Sequence, residues 1–291
     1  MRNVNEEMKK CAAGANFSLF TIHFYLKSCI FAVMEWKIIH IDETDSTNRW
    51  LKEGLAADDS GLTQTMVDVG VRKSLLSSAA INISVVADYQ TAGRGCGTNT
   101  WESERGKNLL FSILIHPVDL PANRQFLVSM TMANSIAKVV SKYVKNVSIK
   151  WPNDIYVGDS KLCGMLIENR LKGSTIKDSI IGVGLNVNQL RFVSDAPNPI
   201  SLANLTGREF DRDQLLQELL QAFDEEWEDI NGVRSRYLEQ LYRRTGSYRY
   251  RDSLGEFLAE LVTVEEDGHL VLRNTDEYSH KYAFKEVQFI I

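Results

Sequence analysis

Apolar and polar residues alternate from Trp36 to Ile41, the pattern of a strand with one covered face. Asp42–Asn48 breaks the alternation, and Asp45 or Ser46 can cap a helix that begins near Thr47 and carries Trp50, Leu51 and Leu55. Ile81–Ala87 is a β-branched run and Asn108–His116 holds the apolar segment LLFSILI, so both predict strands. Arg124–Lys145 places Phe126, Leu127, Met130, Ala133, Ile136, Ala137, Val140 and Val144 at helical spacing, which predicts a helix with one dry face. Ser179–Asn188 reads as a strand. Asp211–Trp227 reads as an amphipathic helix with Leu215, Leu216, Leu219, Leu220 and Phe223 inward and a solvated acidic end, Asp224-Glu225-Glu226.

From Gly246 the pattern changes. Short alternating runs at Leu261–Val264, Leu270–Leu272 and Val287–Ile290 are separated by turns at Asp267-Gly268 and Asn274-Thr275, which predicts a small all-β unit of about five strands. Together these elements predict an α+β fold, a mixed β-sheet with helices packed on it over residues 34–243, followed by a small β domain over 244–291.

The densest chemistry falls in Ser148–Glu168, SIKWPNDIYVGDSKLCGMLIE. Ser148-Ile149 and Ile155–Val157 read as the ends of two strands. Between them Pro152 lacks an N–H for a ladder and biases Trp151 toward extended geometry. Gly158–Ser160 signals a turn, and Leu162–Ile167 reads as a buried strand with Gly164 inside it, where a missing side chain suits close approach of a ligand or another backbone. Lys150, Asn153, Asp154 and Lys161 then stand at one sheet edge. Two ammonium groups and a carboxylate there suit a ligand carrying phosphate and metal.

A second candidate is the loop Ala92–Thr98, where Gly93, Gly95 and Gly97 alternate with Arg94, Cys96 and Thr98. Glycines allow a tight fold whose N–H groups can face anionic oxygens. No Gly-Lys-Ser/Thr follows, so it is not a Walker A loop, and the spacing is wrong for a dinucleotide fingerprint. Arg94 and Trp101 add a cation and an indole face, suited to phosphate and adenine. Asn186, at the end of Gly182-Val183-Gly184-Leu185-Asn186, offers an amide that can read a base edge.

Composition narrows the partners. The 291 residues are 44% hydrophobic and 24% charged, with a net charge of −5 and no basic run, which argues against a nucleic-acid surface. Cys11, Cys29, Cys96 and Cys163 are widely spaced without a C-x-x-C pair, the usage of reduced thiols in a cytoplasm. Lys27 interrupts the apolar run Phe17–Val33 and no cleavage site follows, so residues 1–33 are read as an upstream extension rather than a signal peptide or membrane anchor. Ala57–Ser78 is read as a surface insertion without chemistry.

In order along the chain, Asp45-Ser46-Thr47-Asn48, Gln90–Gly95, Lys150-Trp151-Pro152-Asn153-Asp154 with Lys161-Leu162-Cys163-Gly164, and Gly182–Asn186 resemble the motifs of the biotin protein ligases, in the form without an N-terminal DNA-binding domain. The resemblance implies a biotin/lipoate ligase-like catalytic domain and a C-terminal SH3-like barrel. It implies biotin and ATP as substrates, Mg2+ as the metal, and a biotin carboxyl carrier domain as acceptor. Biotin would meet Ser46, Thr47, Gln90, Gly93, Arg94, Lys161 and Gly164. The adenylate would meet Arg94, Trp101, Lys150, Asn153 and Asn186. Lys161 would be the main electrostatic catalyst, Lys150 would hold phosphate oxygens, and Asp154 would bind Mg2+ or accept the carrier amine's proton.

The alternatives left open are a lipoate or octanoate ligase and a non-catalytic biotin- or nucleotide-binding protein; the carrier and a homodimeric state are also open. The sequence departs from the family after Gly93-Arg94-Gly95, where further arginines are usual and Cys96-Gly97-Thr98 stands here. Arg94 is then the loop's lone cation. That predicts a loop closing less firmly on an adenylate, unless the insertion or the β-tail brings in another cation.

Overall fold

The computed structural model describes residues 36–60, 82–193 and 198–291. The extension at 1–33 and residues 61–78 of the expected insertion lie outside them; residues 57–60 belong to the first helix. In chain order the first elements are β1 (Trp36–Thr44), α1 (Thr47–Ser60), β2 (Asn82–Gln90), β3 (Leu109–Ile115) and α2 (Phe126–Val140). Then come β4 (Val147–Lys150), β5 (Asp154–Val157), β6 (Ser160–Lys172) and β7 (Thr175–Leu185). Three helices follow, α3 (Leu202–Thr206), α4 (Arg212–Glu228) and α5 (Val233–Glu239). The last strands are β8 (Ser247–Asp252), β9 (Gly255–Val264), β10 (Leu270–Asn274), β11 (Ser279–Tyr282) and β12 (Gln288–Phe289).

The first sheet is mixed, in the order β1-β2-β3-β7-β6-β5-β4. β1 pairs parallel to β2, and the remaining neighbours are antiparallel. Every residue of β3 is buried, as its unbroken apolar run requires of a strand covered on both faces. α1 lays Trp50, Leu51 and Leu55 on Ile83, Val85, Leu114 and Ile180.

α2 departs from the pattern reading. It is shorter than Arg124–Lys145 and is buried nearly all round rather than on one face, because α4 and α5 pack on it. Asn134, midway along it, donates to the Val233 carbonyl at 3.0 Å. The acidic end of α4 is likewise not solvated. Asp224 and Glu226 are 7% and 6% exposed. Asp224 accepts the Trp36 indole N–H at 3.0 Å and so anchors β1, while Glu226 pairs with Arg236 of α5 at 2.8 Å. Only Glu225 of the three faces out, toward Lys138.

The C-terminal sheet is antiparallel, in the order β11-β10-β9-β8-β12. Tyr250, Ala259, Leu261, Val264, Leu270 and Leu272 are buried in it. Trp151 is buried and donates its indole N–H to the Gly268 carbonyl at 2.9 Å, so the Trp-Pro turn is also the peg on which this sheet hangs. Arg234 adds a bond to the Val264 carbonyl at 3.0 Å.

Candidate active site

A cavity of about 1160 Å3 opens along the β6–β7 pair and is walled on one side by residues 284–289. Gly164 pairs with Gly184, and Leu166 with Gly182. Residues two apart on a strand share a face, so Gly182, Gly184 and Asn186 mark successive positions along the cavity floor. Ser46, Thr47, Gln90, Arg94, Trp101, Lys150, Asn153, Asp154, Lys161, Gly164 and Asn186 all reach this one cavity from far apart in the chain. Gly93 does not. Its carbonyl accepts the Trp101 N–H at 2.9 Å, and a Cβ there would strike the Trp101 carbonyl, so Gly93 closes the loop upon itself.

One end of the cavity is polar and buried. The Oε1 of Gln90 accepts from the Thr47 N–H at 2.8 Å and from its hydroxyl at 3.1 Å. Thr47 Oγ1 lies 2.6 Å from Ser112 Oγ, which donates to Asn48 Oδ1 at 2.6 Å. Asn48 then donates to Glu168 at 3.0 Å, and Glu168 pairs with Lys52 and, at 3.6 Å, with Arg94. Burial favours protonation of Glu168, but the bonds from Asn48 and Lys52 outweigh it and hold the carboxyl below its usual range. Ser112 and Glu168 were missed in the sequence because each sits inside a strand pattern that burial alone explains. Gly182 carried the signal, since a Cβ there would collide with the Asn48 amide.

The middle of the floor is bare backbone. The Trp101 indole lies on it, so that a Cβ at Gly184 would strike the ring and one at Gly164 would fall 2.9 Å from it. The ring also faces Lys161, whose Nζ stands 5.6 Å from its centroid.

The far end gathers charge. Lys161 Nζ is 2.6 Å from Asp154 Oδ1, with both side chains mostly buried. Lys150 is held between rings, 5.3 Å from the Tyr156 centroid and 4.9 Å from that of Phe289, and burial pushes its pKa down. Asn153 serves the scaffold: its amide donates to the Met165 carbonyl at 2.6 Å and to Cys96 Sγ at 3.2 Å. Asn186 donates to the Ile200 carbonyl at 3.1 Å while lining the cavity.

The glycine-rich loop is a tight hairpin. Gly95 N–H donates to Asn99 O at 2.8 Å, Arg94 bridges to Thr100, and Gly97 turns the tip with φ 70°. The N–H groups of Gly95, Asn99 and Trp101 are thus used inside the loop. Arg94 is the loop's own lone cation, and Lys285 of the C-terminal sheet is the β-tail residue that reaches the tip, where a Cβ on Gly97 would collide with its Nζ. Cys96 is a poor thiolate, its pKa raised chiefly by burial and next by Asp154.

Residues 62–186 match the biotin/lipoate A/B protein ligase family. The match spans 125 of the 291 residues, a little under half of the chain. The chain is similar to the bifunctional ligase/repressor BirA of Bacillus subtilis, 27% identical over 210 residues, 68% of this chain and 64% of that protein. The chain therefore spans just under two thirds of the length of that relative. The biotin–[acetyl-CoA-carboxylase] ligase of Mycobacterium tuberculosis is 27% identical over 198 residues, 63% of this chain and 72% of that protein. Among solved structures, a biotin protein ligase from Aquifex aeolicus in complex with biotin and ATP aligns with a TM-score of 0.65. It is 22% identical and covers 87% of this chain and 99% of that one, so the α+β ligase fold extends through the C-terminal sheet. No helix among the described residues is long and apolar enough to cross a membrane.

Proposed function

We propose that this protein is a biotin protein ligase, which activates biotin with ATP and passes it to a lysine of a biotin carboxyl carrier domain. The observation that carries the reading is the single cavity: a buried polar end, a glycine floor and a cationic far end lie in line. A ureido ring suits the polar end, because Thr47 and Gln90 can trade their mutual bonds for bonds to it. A chain of methylenes suits the floor between Gly182 and Gly184. The carboxylate then arrives beside Lys161.

In the first step a biotin carboxylate oxygen attacks the α-phosphorus, and the bond to the β-phosphate's bridging oxygen breaks to release pyrophosphate. The protein supplies position and charge, with no covalent intermediate. Lys161 neutralises the carboxylate and the α-phosphate as they meet, and Lys150 holds phosphate oxygens. Biotinyl-AMP is a mixed anhydride. In the second step the carrier amine attacks its acyl carbon, the C–O bond to AMP breaks, and the amine gives up a proton, for which Asp154 is the nearby carboxylate.

The described residues hold no cluster of three metal-ligating side chains. That donor set fits Mg2+ carried on ATP phosphates with Asp154 as one protein oxygen, since Mg2+ commonly takes one or two carboxylates plus substrate phosphates. There the ion would offset phosphate charge.

A lipoate or octanoate ligase is the second reading. A dithiolane or alkyl end offers no hydrogen bond to Thr47, Gln90 or Asn48, and a polar pocket discriminates strongly against ligands that cannot bond it. Biotin is favoured on that ground. Against nucleic acid stand the net charge of −5 and the lack of a basic run in the sequence. We take the compartment to be cytoplasmic and the acceptor to be a carboxylase subunit, with a homodimer as the assembly to test by sedimentation. Pyrophosphate–ATP isotope exchange that requires biotin tests the activity; exchange that requires lipoate or octanoate instead would move the assignment to the second reading, and no exchange with any acid would leave only a binding protein.

A further inference from the structure

The phosphate end of the cavity lacks what its loop was expected to provide. The hairpin 93–101 uses the N–H groups of Gly95, Asn99 and Trp101 on its own carbonyls, and Arg94 turns to Glu168 at the other end. A triphosphate laid between Lys161 and the loop tip would find no loop cation there. On the opposite wall, Lys285 has φ 73°, a conformation that favours glycine and is uncommon for a residue with a side chain. From it the side chain crosses to the loop tip, with Nζ 5.7 Å from the Phe284 centroid. Gly97 is what admits it: a Cβ there would collide with Nζ and stand 2.9 Å from Cε. Among the described residues no carboxylate pairs with Lys285. Phe284, Lys285, Val287, Gln288 and Phe289 line the same cavity as Lys150 and Lys161.

We propose that Lys285 is a phosphate-binding residue of the ligase, holding the β- and γ-phosphates of ATP between the C-terminal sheet and the tip of the glycine-rich loop. The inference rests on the ligase reading. An unpaired ammonium at the tip of a loop that brings no cation of its own there is available for charge-assisted hydrogen bonds to the polyphosphate.

The test compares wild type, Lys285→Gln, Lys285→Arg and the double variant Lys285→Gln with Cys96→Arg in biotin-dependent pyrophosphate–ATP exchange. Lys285→Gln is expected to raise the KM for ATP and for pyrophosphate about tenfold or more, the loss of one charged hydrogen bond. Biotin affinity, read by calorimetry without ATP, is expected to stay within about twofold, since a distant charge lost from the phosphate end leaves the buried polar end intact. Lys285→Arg should keep most of the ATP affinity, and Cys96→Arg should restore part of it by returning a cation from the loop side. An unchanged KM for ATP in Lys285→Gln overturns the inference while leaving the ligase reading intact. So does an equal loss of biotin and ATP affinity, which marks a structural role. Absence of exchange in wild type overturns both.

Discussion

Lys161 Nζ and Asp154 Oδ1 stand 2.6 Å apart, at 24% and 14% side-chain exposure, on two adjacent strands of the sheet. A pair so placed is costly to split, since the remaining charge loses its partner in a partly dry site. On the proposed reaction, it also holds the ammonium on a short tether until a carboxylate and a phosphate compete for it. Lys161→Ala is therefore expected to lower kcat for adenylate formation by more than about 100-fold, with biotin affinity lowered far less, because the lysine acts chiefly where charge develops. Single-turnover formation of biotinyl-AMP beside calorimetric biotin binding reads the two effects. Near wild-type exchange in Lys161→Ala would show that the lysine is misassigned.

Gly184→Val is expected to evict the Trp101 indole from the floor and block the methylene chain. The KM for biotin should rise at least about tenfold, the cost expected when a well-packed site must shift to admit extra methyl groups. Indole fluorescence should shift in parallel. Unaltered biotin affinity would mean that the floor at Gly184 is not part of the biotin path.

Thr47→Val removes a hydroxyl that bonds Gln90 and Ser112. Gln90 keeps the Thr47 N–H and Ser112 keeps Asn48, so the loss is that of the hydroxyl's own bonds, about 0.5–1.5 kcal/mol each. Both the midpoint of chemical unfolding and biotin affinity are expected to fall, whereas Thr47→Ser should spare both. A Thr47→Val protein with wild-type biotin affinity would remove this end of the cavity from the ureido site.

Asp224 supplies a pH dependence. Burial raises its pKa from 3.8 to about 6, against the stabilising bond from Trp36. The unfolded chain ionises first, so the folded state loses relative stability as pH rises from about 4 to about 6, and the penalty is complete above that window. Asp224→Asn is expected to raise the melting temperature above pH 6, by about 2–4 °C per kcal/mol relieved. The gap should close toward pH 4. A gap independent of pH would show that ionisation of Asp224 is not its source.

Residues whose chemistry has few structural uses, such as Lys150, Lys161 and the glycines at 164 and 184, pointed in the sequence to the cavity that they line. The sequence disclosed the strands through runs like LLFSILI. It hid residues whose type fits a bland role. Asp224 and Glu226 look solvated in any helical wheel, and only the packing of β1 and α5 on α4 buries them. Trp151 reads as part of a catalytic motif, yet its indole serves the C-terminal sheet. Ser112 sits in an apolar strand with no local sign of its bonds to Thr47 and Asn48. Lys285 lies nearly 190 residues from Gly97, a separation no local pattern spans.

The most direct measurement is intact mass spectrometry of a purified biotin carboxyl carrier domain after incubation with this protein, biotin, ATP and Mg2+. The account predicts the gain of one biotinyl group on a single carrier lysine, dependent on ATP and lost in Lys161→Ala. An unmodified carrier from several carboxylases, with active wild-type folding verified by biotin binding, would contradict it, as would a gain seen with lipoate but not with biotin.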